Sequence, residues 1–313
     1  MFVVCGESLM DVFASGDTPT GCTLDARVGG SPFNVAIGLA RLGQPVAFLS
    51  SVSRDFLGER LMRALRDEGV DTSIVARVAA PTTLGLVGLD AQGVAAYAFY
   101  GTGGADRLLG MDALKVLPPA TRALHFGSYA MVVEPVASTL RALAERESGR
   151  RLVAWDPNVR LNVEPDLARW RDTLRAMLPH THLLKISEED LRLLLPGASM
   201  DDFAAEAMGA GVQLVVVTRG AAGAWARSVQ ARVATHGDSA DVIDTVGAGD
   251  TFQAALLAWL AEHDRLDPRH LGRLSGDELA LACGFASRAA AITCARRGAD
   301  LPRRNELTPG VRA

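Results

Sequence analysis

Residues Asp244 to Asp250 read Asp-Thr-Val-Gly-Ala-Gly-Asp, and a run rich in Ala and Leu follows from Thr251 to Glu262. Ala and Leu favour helix, so a helix is expected to begin at this turn. The first amides of a helix have no internal partner, and the helix dipole makes that end positive. With Gly247, Ala248 and Gly249 there, no bulky side chain screens those amides from an anion, most naturally a phosphate. Asp250 then stands at the edge of an anion site. A fixed carboxylate there is suited to take the proton of a hydroxyl attacking phosphorus. Asp and Thr are also ordinary helix caps, so Gly-Ala-Gly-Asp alone would more often be a cap than a site.

Phosphoryl transfer from a nucleotide needs cations on the phosphates, in-line geometry and a proton acceptor. Amides at Gly247 to Gly249 would stabilise the shifting charge, and Arg160 could pair with a phosphate in bidentate fashion. Magnesium would bridge phosphate oxygens. A Walker A loop is missing, because neither Lys115 nor Lys185 follows the required glycine. The dinucleotide fingerprint is missing too, since Phe252 stands at the place of its third glycine. The histidines show no metal-ligand spacing; His180-x-His182 comes nearest and reads as structural.

These residues need a scaffold. Val242 and Ile243 predict a strand before the turn, and Phe2 to Gly6 a buried strand ending near Glu7 and Asp11. Residues 29–43 lead through Gly29-Gly30 into a helix over Val35 to Leu42, with Asn34 as N-cap and Gly43 beyond its end. The glycine doublet allows backbone to approach a ligand closely. Pro45 to Val52 predicts a strand and Phe56 to Gly69 a helix. Thr83 to Asp90 and Val94 to Tyr100 alternate around the turn Asp90 to Gly93, a hairpin pattern with Tyr97 and Phe99 on one face.

Strands at Ala123 to Ser128, Leu152 to Asp156, Leu183 to Ile186 and Leu214 to Thr218 then alternate with helices near 135–147, 166–177, 188–195 and 201–210. A short hairpin at 224–235 and helices at 251–262 and 277–292 follow, and the tail after Arg303 is polar. Such alternation predicts an α/β fold: a mostly parallel sheet with helices on both faces. The first hairpin, with residues 12–28, would form a small β lid. Polar residues at the strand ends then gather on one edge: Asp156 to Asn158, Arg160, Lys185, Ser187, Thr218 to Gly220, and Asp250.

The chain has 313 residues, 49% of them hydrophobic, enough for a sizeable core. Its net charge of -4 gives no electrostatic footprint for nucleic acid. Cys5, Cys22, Cys283 and Cys294 form no C-x-x-C pair, which argues for incidental thiols in a reducing compartment. There is no signal-peptide pattern and no apolar run long enough to span a bilayer. A soluble, cytoplasmic protein is expected.

Two further motifs narrow the reading. The spacing Asp-Thr-x-Gly-Ala-Gly-Asp resembles the C-terminal signature of the ribokinase (PfkB-type) carbohydrate kinases. Residues 29–43, GGSPFNVAIGLARLG, resemble the N-terminal signature of the same family, about 200 residues earlier. GESLMD at 6–11, LHFGS at 124–128, WDPNVR at 155–160, LLKISEED at 183–190 and AAAITCARRG at 289–298 also suit it, most nearly its bacterial fructokinase branch.

The resemblance implies a single domain over 1–313 with a Rossmann-like sheet, and a lid from about 12–28 and 83–101 that closes on sugar. It implies Asp250 as base, Gly247, Ala248 and Gly249 as anion hole, and Arg160 near the transferred phosphate. Asp11, Gly29, Gly30 and Asn34 would meet the sugar. Lys185, Ser187, Thr218, Gly220 and Gly223 would lie along ATP, and Asp244 would match a carboxylate beside a monovalent cation such as K+. ATP and Mg2+ as cofactors, fructose 6-phosphate as product and a homodimer joined through the lid are implied too. Alternatives are a 2-keto-3-deoxygluconate or nucleoside kinase and, from another class, a non-catalytic sensor of sugar or nucleotide. Two departures stand out. Ser187-x-x-Asp190 replaces the family's Asn-x-x-Glu, and Gly101 stands where relatives often carry an arginine that faces substrate.

Overall fold

The computed structural model describes residues 1–89, 95–115, 117–238 and 240–307. The chain begins with β1 (Phe2–Cys5), β2 (Leu9–Thr18), β3 (Gly21–Gly29) and α1 (Ser31–Arg41). Next come β4 (Val46–Leu49), β5 (Ser51–Ser53), α2 (Phe56–Asp67), β6 (Ala76–Val78), β7 (Leu84–Leu89) and β8 (Ala95–Tyr100). Regular alternation then sets in: β9 (Ala123–Gly127), α3 (Val136–Ser148), β10 (Leu152–Asp156), α4 (Leu167–Met177), β11 (Leu183–Ser187), α5 (Glu188–Leu194), α6 (Met200–Ala210) and β12 (Leu214–Thr218). The chain closes with β13 (Ala224–Ser228), β14 (Arg232–Thr235), α7 (Ala248–Glu262), α8 (Pro268–Leu271) and α9 (Gly276–Cys294).

The main sheet runs β14-β13-β12-β11-β10-β9-β1-β4. It is parallel from β12 to β4, and only β13 and β14 pair antiparallel. Parallel strands are buried on both faces, and alternate residues feed two cores. Phe2, Val4, Ala154 and Val216 join the core under α1, α2, α7 and α9; Val3, Cys5, Trp155 and Val217 join the core under α3 to α6. The direction of winding reverses between β1 and β9, and in open α/β sheets ligands bind outside the strand ends at that point. Asp156, Ser187 and Thr218 end their strands on this same edge.

The small sheet runs β3-β2-β7-β8, two hairpins joined by parallel pairing of β2 with β7. It begins at Leu9, earlier than residue 12. The hairpin turn Asp90 to Gly93, the side chain of Tyr97 and the tail after Leu307 lie outside the described residues.

Three sequence expectations need correction. Val242 and Ile243 form no strand and are 63% and 67% exposed; the Ile243 amide donates instead to the Cys294 carbonyl at the end of α9, at 2.8 Å. Pro45 to Val52 divides at Ser50: β4 stays in the main sheet, while β5 leaves it to pair with β6. The helix α1 starts at Ser31, not Val35. Gly30 is its N-cap residue, at φ 108°, and Pro32 sits in the first turn, where its missing amide costs nothing. Asn34 is therefore inside the helix, its side chain freed from capping. Gly43, at φ 81°, does stand just beyond the helix end.

Candidate active site

The site is assembled where α1 and α7 cross the carboxyl edge of the main sheet. The two helices pack closely at Gly38, where a Cβ would lie 2.7 Å from that of Ala254. That approach lets the first turn of α1 reach the first turn of α7. Ser31 Oγ donates to Asp250 Oδ1 at 2.6 Å, and Asn34 Nδ2 donates to Oδ2 at 2.8 Å.

Asp250 is 8% exposed. Burial pushes its carboxyl above the ordinary value; the Ser31 and Asn34 hydrogen bonds and the Lys185 ammonium pull it down, and Asp156 pushes it up.

The turn before α7 is shaped from outside. Gly247 is its N-cap residue, with left-handed backbone at φ 78°, and a Cβ there would lie 2.6 Å from Ala299. Asp244 holds that neighbouring loop: its Oδ2 accepts from the Gly298 amide at 2.8 Å and its Oδ1 from the Val246 amide at 3.0 Å. Within the turn, the Ala248 amide already donates to Thr245 at 3.2 Å. Among the described residues, no acceptor in the chain takes the amides of Gly249 and Asp250. The Gly247 amide likewise has no acceptor among the described residues, so of the Gly247-to-Gly249 set expected from the sequence only the Ala248 amide is taken up within the turn.

Beneath Gly249 lies a buried ion pair. Lys185 Nζ meets Asp156 Oδ2 at 2.7 Å, with side-chain exposures of 4% and 2%. A Cβ on Gly249 would lie 3.1 Å from that same nitrogen. Lys185, expected along the nucleotide, lies against the start of α7 and is paired with Asp156. Ser187 also has a structural task, since its hydroxyl accepts from the Asp190 amide and caps α5.

Asp156 Oδ1 and Asn158 Nδ2 are buried without partners. Asn158 has left-handed backbone at φ 41°, strain of the kind held at functional sites. Asp190 is pushed above its ordinary value by burial and by the charge of Asp156. Two neighbouring carboxylates and an orphaned oxygen fit a hydrated divalent cation arriving with a nucleotide.

The small sheet supplies the opposite wall. Asp11 on β2 lies among glycines: a Cβ on Gly29 would overlap its carboxylate, and one on Gly85 would lie 3.1 Å from Oδ1. Burial and the charge of Asp250 push Asp11 up to about 6, against the pull of Arg160. Asp11, Asp250 and the exposed Arg160 are thus near enough for their charges to act on one another. The glycine doublet has a packing reason as well: Gly29 makes room for Asp11, and a Cβ on Gly30 would lie 2.8 Å from the Glu7 carbonyl. Thr218, Gly220 and Gly223 line the turn after β12; Gly220 is left-handed with open space around its Cα.

Several site residues escape a linear reading. Glu7 is 1% exposed, accepts from the Ser31 amide at 3.2 Å, and is pushed up to about 8 chiefly by burial. Asp106 is buried and accepts from the hydroxyls of Thr83 and, at 2.9 Å, Tyr129. Arg107 Nη2 lies 2.8 Å from where a Cβ on Gly101 would stand, so this arginine fills the space that Gly101 vacates. His125 is fully buried beside Gln253 and pushed down to about 3 by burial and Lys185, which leaves it neutral. His182 Nδ1 accepts from the Val153 amide and is structural, as its spacing suggested. In sequence only the Ala-Asp-Arg run beside glycines marks the Asp106 and Arg107 pair.

Comparison with known proteins shows the family and the fold. The sequence profile of the pfkB family carbohydrate kinases matches residues 1–305. A fructokinase of Rhizobium leguminosarum bv. trifolii is 36% identical over 312 residues, covering 100% of this chain and 94% of its own. The structure of a Xylella fastidiosa fructokinase with bound ATP superposes with a TM-score of 0.87 at 25% identity, covering 98% of this chain and 96% of that one. A Vibrio cholerae fructokinase variant with fructose, ADP and potassium bound gives a TM-score of 0.83 at 25% identity, with the same coverage. With the profile spanning nearly the whole chain and the paired signatures meeting at Asp250, the chain belongs to the pfkB family of carbohydrate kinases.

Proposed function

We propose that this sugar kinase transfers the γ-phosphate of ATP to fructose, giving fructose 6-phosphate. The observation that carries the reading is Asp250: a buried carboxylate in the first turn of α7, next to unpaired amides and near enough to Asp11 for the two charges to act on each other. The relatives known as fructokinases supply the choice of sugar.

In this reading Asp11 and Asn34 orient the sugar hydroxyls, with the backbone of Gly29 and Gly30 beside them. Asp250 takes the proton from the attacking hydroxyl. The amides of Gly247, Gly249 and Asp250, in the turn that Ala248 completes, receive the transferring phosphoryl group at the positive end of α7. Arg160 adds a positive charge on the open side. The nucleotide lies along Thr218, Gly220 and Gly223 at the end of β12, with Lys185 and Ser187 supporting that edge from below.

A bound Mg2+ would neutralise phosphate charge; Asp156 and Asp190 are the carboxylates placed to hold its water shell. A monovalent cation of the kind bound by the Vibrio protein would lie against Asp244, whose fixed orientation suits it. The enzyme acts in the cytoplasm as a homodimer. Exposed Leu24 on the small sheet, and Ala26, Phe56 and Leu57 around a cavity of about 400 Å³, supply an apolar surface for pairing.

The test is ADP release with ATP, Mg2+ and K+ across fructose, 2-keto-3-deoxygluconate, ribose and adenosine, with phosphorus NMR of the product. Turnover confined to fructose with a 6-phosphate product supports the proposal. Turnover on another acceptor alone overturns the choice of sugar.

A further inference from the structure

Asp250 is held from α1, and the donor closest to it is a serine whose place has no assigned role. Ser31 is the first residue of α1 and is 8% exposed. Its position is fixed on two sides. Its amide donates to Glu7 Oε1 at 3.2 Å. The preceding residue, Gly30, sits against the Glu7 carbonyl so closely that a Cβ would lie 2.8 Å away. From this fixed backbone its hydroxyl donates to Asp250 Oδ1, 2.6 Å distant. A short hydrogen bond to a buried carboxylate is charge-assisted and among the stronger kinds.

We propose that Ser31 is a positioning residue for the base: its hydroxyl fixes the orientation of Asp250 and keeps it ionised at the pH where it must accept a proton. The inference rests on the reading of Asp250 as base. Five groups face this carboxylate: Ser31 and Asn34 from α1, Lys185 from β11, Asp156 from β10 and Asp11 from β2. Burial and the two carboxylates favour the protonated form. Lys185 and the two hydrogen bonds oppose it, and Lys185 is already committed to Asp156. Asn34 holds Oδ2, so without Ser31 the buried Oδ1 loses the donor that favours charge. Glu7 acts one step further back, by setting where Ser31 begins the helix.

The experiment compares pH profiles of kcat/KM for the wild-type enzyme, Ser31→Ala, Ser31→Thr and Asp250→Asn, with ATP and fructose. Ser31→Ala should move the acid limb up by about one pH unit, so the loss is about tenfold on that limb and shrinks toward the alkaline plateau. Ser31→Thr, which keeps a hydroxyl, should bring the limb back toward wild type. Asp11 is coupled by charge to Asp250, so the limb belongs to the pair, and its return in Ser31→Thr is what assigns the difference to the Ser31 hydroxyl. A uniform loss in Ser31→Ala with an unmoved limb, or superimposable profiles, would overturn the proposal while leaving the base intact. Wild-type turnover in Asp250→Asn would overturn the base assignment itself, whatever the serine variants do.

Discussion

Lys185 reaches Asp156 at 2.7 Å directly under Gly249, so the first turn of α7 rests on a buried ion pair between two neighbouring strands. The pair couples the floor of the sheet to the start of the helix. Removing one partner strands the other charge in a site with almost no water, a loss of about 3–5 kcal/mol. Lys185→Met should lower stability to chemical denaturation by that amount. Adding Asp156→Asn should recover part of it, since the two residues form one interaction. Equal and additive losses would show that the pair is not energetically coupled.

Asp250→Asn should leave folding nearly unchanged. The amide oxygen can keep the Asn34 hydrogen bond, and the amide nitrogen can face the Ser31 oxygen, which accepts. Turnover should fall by about 10²–10⁴, the range for losing a general base, with ATP binding preserved in calorimetry. A small change in turnover would move the proton acceptor elsewhere.

Gly29→Ala probes the wall opposite. A methyl group there overlaps the Asp11 carboxylate and must displace it. If Asp11 holds the sugar, KM for sugar rises by about tenfold or more, roughly 1.4 kcal/mol of lost binding, and KM for ATP changes much less. A parallel rise in both constants would mean a general distortion of the site.

Glu7 makes stability depend on pH. Its ordinary value is 4.5, and in the folded protein it lies near 8. Between those values the folded chain holds a proton that the unfolded chain has lost. Its contribution is fully present below about 4.5 and fades as pH rises through about 8. From pH 6 to pH 8 the loss is about 2–3 kcal/mol. Glu7→Gln carries no such proton, so its melting temperature should fall less over that interval than wild type. Parallel curves would place the Glu7 carboxyl near its ordinary value.

Much of this protein is local and was therefore legible in the chain. The alternation of β-branched runs with Ala- and Leu-rich segments determined the α/β class, and β10 and β12 end at the residues where their apolar runs end. The turn at Gly247 to Asp250 marked the start of α7, because small residues at a helix N-terminus show in the sequence itself.

What tertiary structure decided is which distant groups meet. Ser31 and Asn34 lie 219 and 216 residues from Asp250, and no periodicity encodes that distance; it follows from the packing of Gly38 on Ala254. Asn34 had the sequence of a cap, yet Gly30 and Pro32 start the helix earlier, and its side chain is free to reach Asp250. Lys185 stands in sequence as a lone cation near a strand end, and parallel pairing of β10 and β11 is what puts Asp156 beside it. Arg107 fills the space over Gly101 because the chain turns back after β8. A sequence determines the chemistry each segment carries; the burial, charge pairing and close approach that set its role arise only when the sheet and helices bring remote segments together.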